Sequence, residues 1–127
     1  MSAPEPGVRW VRRSAPVVLA DAQRRGAAAV VIGPVRTKAE LLAEFARALE
    51  FPGWVGRNWD AFADVLRDLS WLPPGPRVVV WVGAGVLRSA QPATYRTALD
   101  VLREATARSA ETDRPLTVLL APPPDTS

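Results

Sequence analysis

The sequence predicts an α/β fold in which a three-stranded parallel sheet is packed with helices and preceded by an N-terminal extension. Two observations carry this expectation. Short β-branched runs alternate with longer segments of helical periodicity, and those runs are apolar across both faces, the pattern of strands covered on both sides. The 127 residues fit one domain, and 48% hydrophobic content with 23% charge is ordinary for a folded globule. The chain divides into an extension over residues 1–26, a domain over 27–121 and a tail over 122–127. The proline-rich ends, MSAPEPG and PPPDTS, read as mobile.

In the extension, Ser14, Pro16, the run VVLADAQRR and Gly26 supply an N-cap, an early proline and a glycine stop, which predicts a short helix. Val8, Trp10 and Val11 read either as a strand or as side chains packed beside that helix. Ala27 to Ile32 is β-branched toward its end and closed by Gly33-Pro34, as expected of a buried strand. A helix follows, with Thr37 and Glu40 at capping-box spacing and Leu41, Leu42, Phe45 and Leu49 on one face. It ends near Phe51-Pro52-Gly53.

Asn58 is the expected N-cap of a second domain helix through Ser70, with Trp59, Phe62, Leu66 and Leu69 apolar, and Pro73-Pro74-Gly75-Pro76 stops it. Arg77 to Val82 reads as a buried strand, the glycines of WVGAGVLR as a turn, Thr94 to Ala110 as a helix and Leu116 to Ala121 as the last strand. Crossovers between parallel strands are expected to be right-handed. No internal repeat is visible.

Composition excludes several kinds of chemistry. The chain has no cysteine and no histidine, so disulfides are impossible and the commonest zinc, iron and copper ligands are missing; no metal and no cofactor is expected. The bases of Ser/His/Asp and Cys/His systems are missing too, which leaves carboxylates, Lys38, Tyr95 and arginines for any catalysis and points to a protein that is not an enzyme. No apolar run approaches the roughly 18–20 residues of a membrane span, and the start lacks the apolar stretch of a secretory signal, so a cytoplasmic protein is expected.

The net charge of +3 is concentrated at the front, where five arginines face only Glu5 and Asp21; the remainder holds 11 basic and 11 acidic groups. The body is therefore neutral, and direct nucleic-acid binding is not expected of it. A lesser alternative is nucleic-acid binding through Arg9, Arg12, Arg13, Arg24 and Arg25. A single lysine amid abundant arginine, alanine and proline suggests a GC-rich bacterial genome.

On the helix after Asn58, Asp60, Asp64 and Asp68 fall at i, i+4 and i+8, opposite Phe62, Leu66 and Leu69. Like charges at this spacing repel by a few tenths of a kcal/mol each, so the stripe is either a binding surface or a solvated face eased by the helix dipole and by nearby Arg57 and Arg67. Trp54, in the loop between Gly53 and Gly56, is either an exposed anchor or a ring folded over the core edge. Trp59, Trp71 and Trp81 lie in apolar patterns and read as structural. WVGAGVLR has neither Walker spacing nor a full G-x-G-x-x-G, so it is no phosphate loop. Asp60 and Asp64 face away from the core, which argues against an acid–base pair with one buried, raised pKa.

The segment Phe51 to Leu69, FPGWVGRNWDAFADVLRDL, resembles the motif of the barstar family, the intracellular inhibitors of extracellular microbial ribonucleases. The order of elements agrees with that family over about residues 27–121, down to Arg103-Glu104-Ala105 on the later helix. The resemblance implies an inhibitor, monomeric when free, that binds a microbial ribonuclease and no membrane. By position Trp54 corresponds to the loop aromatic, Asp60 and Asp64 to the two inhibitory aspartates, and Glu104 to a later acidic contact. Gly56 and Asn58 correspond to the loop formers.

In the family these carboxylates take the place of the RNA phosphate among the nuclease's cationic groups, and charge-assisted bonds between carboxylate and guanidinium suit that role. Two positions of the same surface depart from the pattern. Ala63 stands where the best-known member has a tryptophan, and Arg57 places a positive charge inside the binding loop. Well-studied members are acidic and face a basic nuclease; a neutral-to-basic chain suits an acidic nuclease or another toxin. The second reading is accordingly a barstar-like interaction or immunity module for a non-ribonuclease partner.

Overall fold

The computed structural model describes residues 4–124. The outermost parts of the two ends expected to be mobile, 1–3 and 125–127, lie outside the described residues. Elements follow in the order β1 (Gly7–Trp10), α1 (Ala15–Arg24), β2 (Ala28–Ile32), α2 (Lys38–Ala48), α3 (Trp59–Asp68), β3 (Arg77–Val82), α4 (Gly85–Ala90), α5 (Pro92–Ser109) and β4 (Leu116–Ala121).

The fold class is α/β with a parallel sheet, but the sheet has four strands rather than three, in the order β1-β4-β3-β2. The additional strand comes from the N-terminal segment. Gly7–Trp10 pairs along β4, Val11 N–H donates to Leu120 C=O at 2.9 Å, and Thr117 Oγ1 donates to Glu5 C=O at 3.0 Å. Four residues with Arg9 and Trp10 exposed make a short edge strand, and charge on an edge discourages pairing with other chains.

Register explains the two cores. Val8, Val118, Val79 and Val30 lie in one row across the sheet, as do Trp10, Leu120, Trp81 and Ile32 two residues on. Apart from Trp10, which is exposed at the sheet edge, these rows supply the larger core, which α2, α3, α4 and α5 cover with Leu41, Phe45, Phe62, Leu66, Leu87 and Leu102. The intervening positions, including Val80 and Leu119, face the other way and are covered by Val18 and Ala22 of α1. The chain steps from β2 to β3 to β4 in one direction but from β1 to β2 in the opposite one. Crossovers of one hand must then place α1 on the face opposite the other helices, which is where it lies.

Local chemistry sets the helix ends. Ser14 occupies the N-cap position of α1, yet its side chain makes no capping bond; the proline at the start of the helix fixes the entry instead. At α2 the expected box forms in shifted shape: Glu40 N–H donates to Thr37 Oγ1 at 3.1 Å, while Glu40 Oε1 accepts from Arg36 N–H at 2.7 Å. The stretch read as a turn after β3 contains α4. Gly83, at φ +67°, turns the chain out of the strand, and buried Leu87 anchors the six-residue helix. Among the described residues no helix is long and apolar enough to cross a membrane.

Candidate protein-binding surface

The segment from Phe51 to Asn58 is fixed at both ends. At its start α2 gives way to Leu49, which is buried, and to Glu50 at φ 54°. Phe51 then packs near Phe62 and Trp71, at centroid separations of 6.2 and 5.9 Å, and the Trp71 indole N–H donates to Leu49 C=O at 3.0 Å. At its end Asn58 Oδ1 accepts from Ala61 N–H at 2.8 Å, the N-cap bond expected from sequence. Gly56 lets the loop approach this cap: a Cβ there would lie 3.1 Å from Asn58 Nδ2.

Between these anchors the loop turns through Val55 N–H to Pro52 C=O, at 3.1 Å, and presents Trp54 at 79% exposure. Of the two readings of this ring, the structure gives the exposed one. Arg57 is also exposed and forms no ion pair among the described residues. Beneath the loop, Leu42, Ala46, Val55, Arg57 and Phe62 line a cavity of about 230 Å³.

Helix α3 is sharply two-sided. Phe62, Val65 and Leu66 are buried, with Phe45 meeting Phe62 edge-on at 5.2 Å, whereas Asp60, Asp64 and Asp68 are exposed. Trp59 is half-buried against Phe62 and lies under the Lys38 ammonium, 5.1 Å from the ring centroid, so it pins the first turn to α2. The helix stops at Asp68, two residues short of the expected Ser70. Leu69 there takes the left-handed conformation, φ 50°, and turns into the core.

The stripe of three aspartates does not act as one unit. Asp68 accepts from Ser70 Oγ at 2.6 Å at the far end of the helix. Asp64 instead joins Glu104 of α5 through Arg67, whose guanidinium lies 3.4 Å from Asp64 Oδ1 and 3.5 Å from Glu104 Oε1. The packing of α3 against α5 thus brings together the two carboxylates that sequence placed on separate helices. Ala63 is half-buried on the same helix, one residue before Asp64. Arg67 was legible only as a cation near Asp64; the i, i+3 spacing hinted at that pair, and nothing local hinted at Glu104.

The basic N-terminal residues are organised differently. Arg13, Arg24 and Arg25 converge on the Asp21 carboxylate at 3.5, 3.3 and 3.1 Å. Partial burial pushes the Asp21 carboxyl up, but Arg25 and Arg13 beside it more than offset this and hold it below its ordinary value. Three of the five arginines therefore serve an internal ion cluster that ties the β1–α1 connection to the helix. No group of three or more potential metal ligands occurs among the described residues.

Fold and surface together describe a small α/β protein that presents an exposed loop aromatic and a set of exposed carboxylates. The chain belongs to the barstar family: the family described as Barstar (barnase inhibitor) matches residues 17–121, so β1 lies outside the match, which begins within α1, ahead of the residue 27 read from sequence, and runs to the end of β4. A comparison with curated proteins returned no match.

Proposed function

We propose that this protein is a cytoplasmic inhibitor that blocks the active site of a small extracellular-type microbial ribonuclease, using aspartates as phosphate mimics. The observation that carries this reading is the joint presentation of Trp54, Asp60, Asp64 and Glu104. All four are exposed, on a loop capped by Asn58 and on two packed helices, in a chain of the barstar family. Trp54 supplies a flat apolar contact, and the carboxylates supply acceptors for the guanidinium and ammonium groups that would otherwise hold RNA phosphates. Because the loop and α3 are held by buried aromatic packing, little ordering entropy is lost on binding.

Inhibition of this kind is competitive with RNA. In assays on barnase and on acidic and basic small microbial ribonucleases, saturating RNA added before the protein is expected to slow the onset of inhibition of an inhibited enzyme. An onset rate independent of RNA concentration would place binding away from the nuclease active site and reject the phosphate-mimic reading. A non-ribonuclease partner is the second reading; the unpaired, exposed Arg57 in the binding loop favours it, because that charge opposes a cationic nuclease cleft. Nucleic-acid binding by the N-terminal arginines is the lesser reading, since three of the five, Arg13, Arg24 and Arg25, share the Asp21 carboxylate.

A further inference from the structure

The geometry points to Arg67 as a built-in competitor that occupies, in the free protein, the place on the acidic surface which a partner's guanidinium takes in the complex. This rests on the inhibitor reading of the preceding section and assigns that surface a specificity-determining residue. Arg67 is the sole cation within ion-pair distance of Asp64 or of Glu104 among the described residues, and it straddles both. A partner cation that enters between these carboxylates meets a like charge and must drive it out.

The pose of Arg67 is suited to displacement. Its two ion-pair distances, 3.4 and 3.5 Å, are long against the roughly 2.7–2.9 Å of strong charge-assisted bonds, and neither contact is a well-aligned hydrogen bond. Its Nε is buried without a hydrogen-bond partner, so the side chain is incompletely satisfied where it rests. The carboxylates are 72% and 60% exposed and the arginine 38%, so solvent screens both pairs, and Arg67 adds little to the orientation of its partners. Competition therefore outweighs preorganisation. The partner best able to displace it presents a guanidinium that can reach both carboxylates at once, since a compact ammonium replaces only one of the two contacts well.

The test titrates an inhibited ribonuclease with wild-type protein, Arg67→Met, Arg67→Lys and Asp64→Ala. Methionine keeps most of the apolar stem and removes the charge, whereas lysine keeps the charge. Arg67→Met is expected to bind roughly three- to thirtyfold more tightly, the range set by losing competition from two exposed ion pairs, with a steeper salt dependence. Arg67→Lys, which keeps the charge but serves only one of the two carboxylates well, is expected to fall between wild type and Arg67→Met. If Asp64→Ala abolishes inhibition while Arg67→Met binds equally or less tightly, the competitor role is overturned and the inhibitor reading stands.

A partner-independent arm uses a hexa-arginine peptide, with binding followed by amide chemical shifts of the labelled protein. Shifts centred on Asp64 and Glu104, with several-fold tighter binding to Arg67→Met than to wild type, support the proposal even if no ribonuclease tested is inhibited. Equal affinity for the two proteins overturns it.

Discussion

Asp64 on α3 and Glu104 on α5, far apart in sequence, meet at one guanidinium, that of Arg67, 3.4 Å from the first and 3.5 Å from the second. This juxtaposition turns an acidic helix face into a surface shared by two helices. It depends on the buried side of α3, because Phe62 and Leu66 set the rotation at which the aspartates point outward.

Truncating that buried side should cost far more than truncating the exposed one. Leu66 is fully buried, so Leu66→Ala is expected to lower stability by about 2–5 kcal/mol, the range for emptying a packed leucine site. Urea denaturation of the variant and the wild type measures this directly. A loss under about 1 kcal/mol would mean that α3 is not packed as described.

The cap on α3 is expected to matter for both stability and binding. Asn58→Ala removes the 2.8 Å bond to Ala61 N–H and should cost about 0.5–2 kcal/mol by the same measurement. Asn58→Asp retains an acceptor at the cap and should recover most of that loss. Failure of the aspartate to do so would assign Asn58 a role other than capping.

Trp54 separates folding from recognition. At 79% exposure its replacement by alanine should leave the thermal midpoint within about three degrees of wild type, since surface changes of this kind rarely exceed about 0.5 kcal/mol. Binding to an inhibited nuclease, measured by calorimetry, should weaken by about 1 kcal/mol or more. A large drop in the midpoint instead would show that the ring supports the loop.

Acid should destabilise the protein through Asp21 and Glu44. Arg25 and Arg13 outweigh partial burial at Asp21, while the Arg47 side chain and the Gly33 N–H stabilise the charged form of Glu44; both carboxyls lie below their ordinary values. A carboxyl depressed in the folded state contributes stability that is present above its unfolded pKa, about 4, and is lost as pH falls through the folded value. Chemical denaturation from pH 6 down to pH 2 should show this fall, and Glu44→Gln should flatten it. An unchanged acid slope in the variant would remove Glu44 from the account.

Much of the domain was legible because its strands are apolar on both faces and its helices carry strong caps: β2, β3 and β4, the Thr37 and Asn58 caps, and the inward set Phe62, Leu66 and Leu69 all appear where local chemistry puts them. β1 was left open between a strand and packed side chains because four residues at a half-exposed edge, with Arg9 among them, give no clear period. α4 was read as a turn because six residues interrupted by glycine offer too little periodicity, and its helical state comes from Leu87 reaching the core. At the candidate site, Asp60 and Asp64 stood out by helical spacing. Glu104 entered only by resemblance, since its approach to Arg67 is a product of tertiary packing.

The most direct measurement is a titration of ribonuclease activity with wild-type protein and with Asp64→Ala, using barnase and a set of acidic and basic small microbial ribonucleases. The account predicts stoichiometric inhibition of at least one enzyme by the wild type, and its loss in a variant that remains folded. Undiminished inhibition by folded Asp64→Ala would contradict the phosphate-mimic surface, and failure of the wild type to inhibit any of them would contradict the ribonuclease as target.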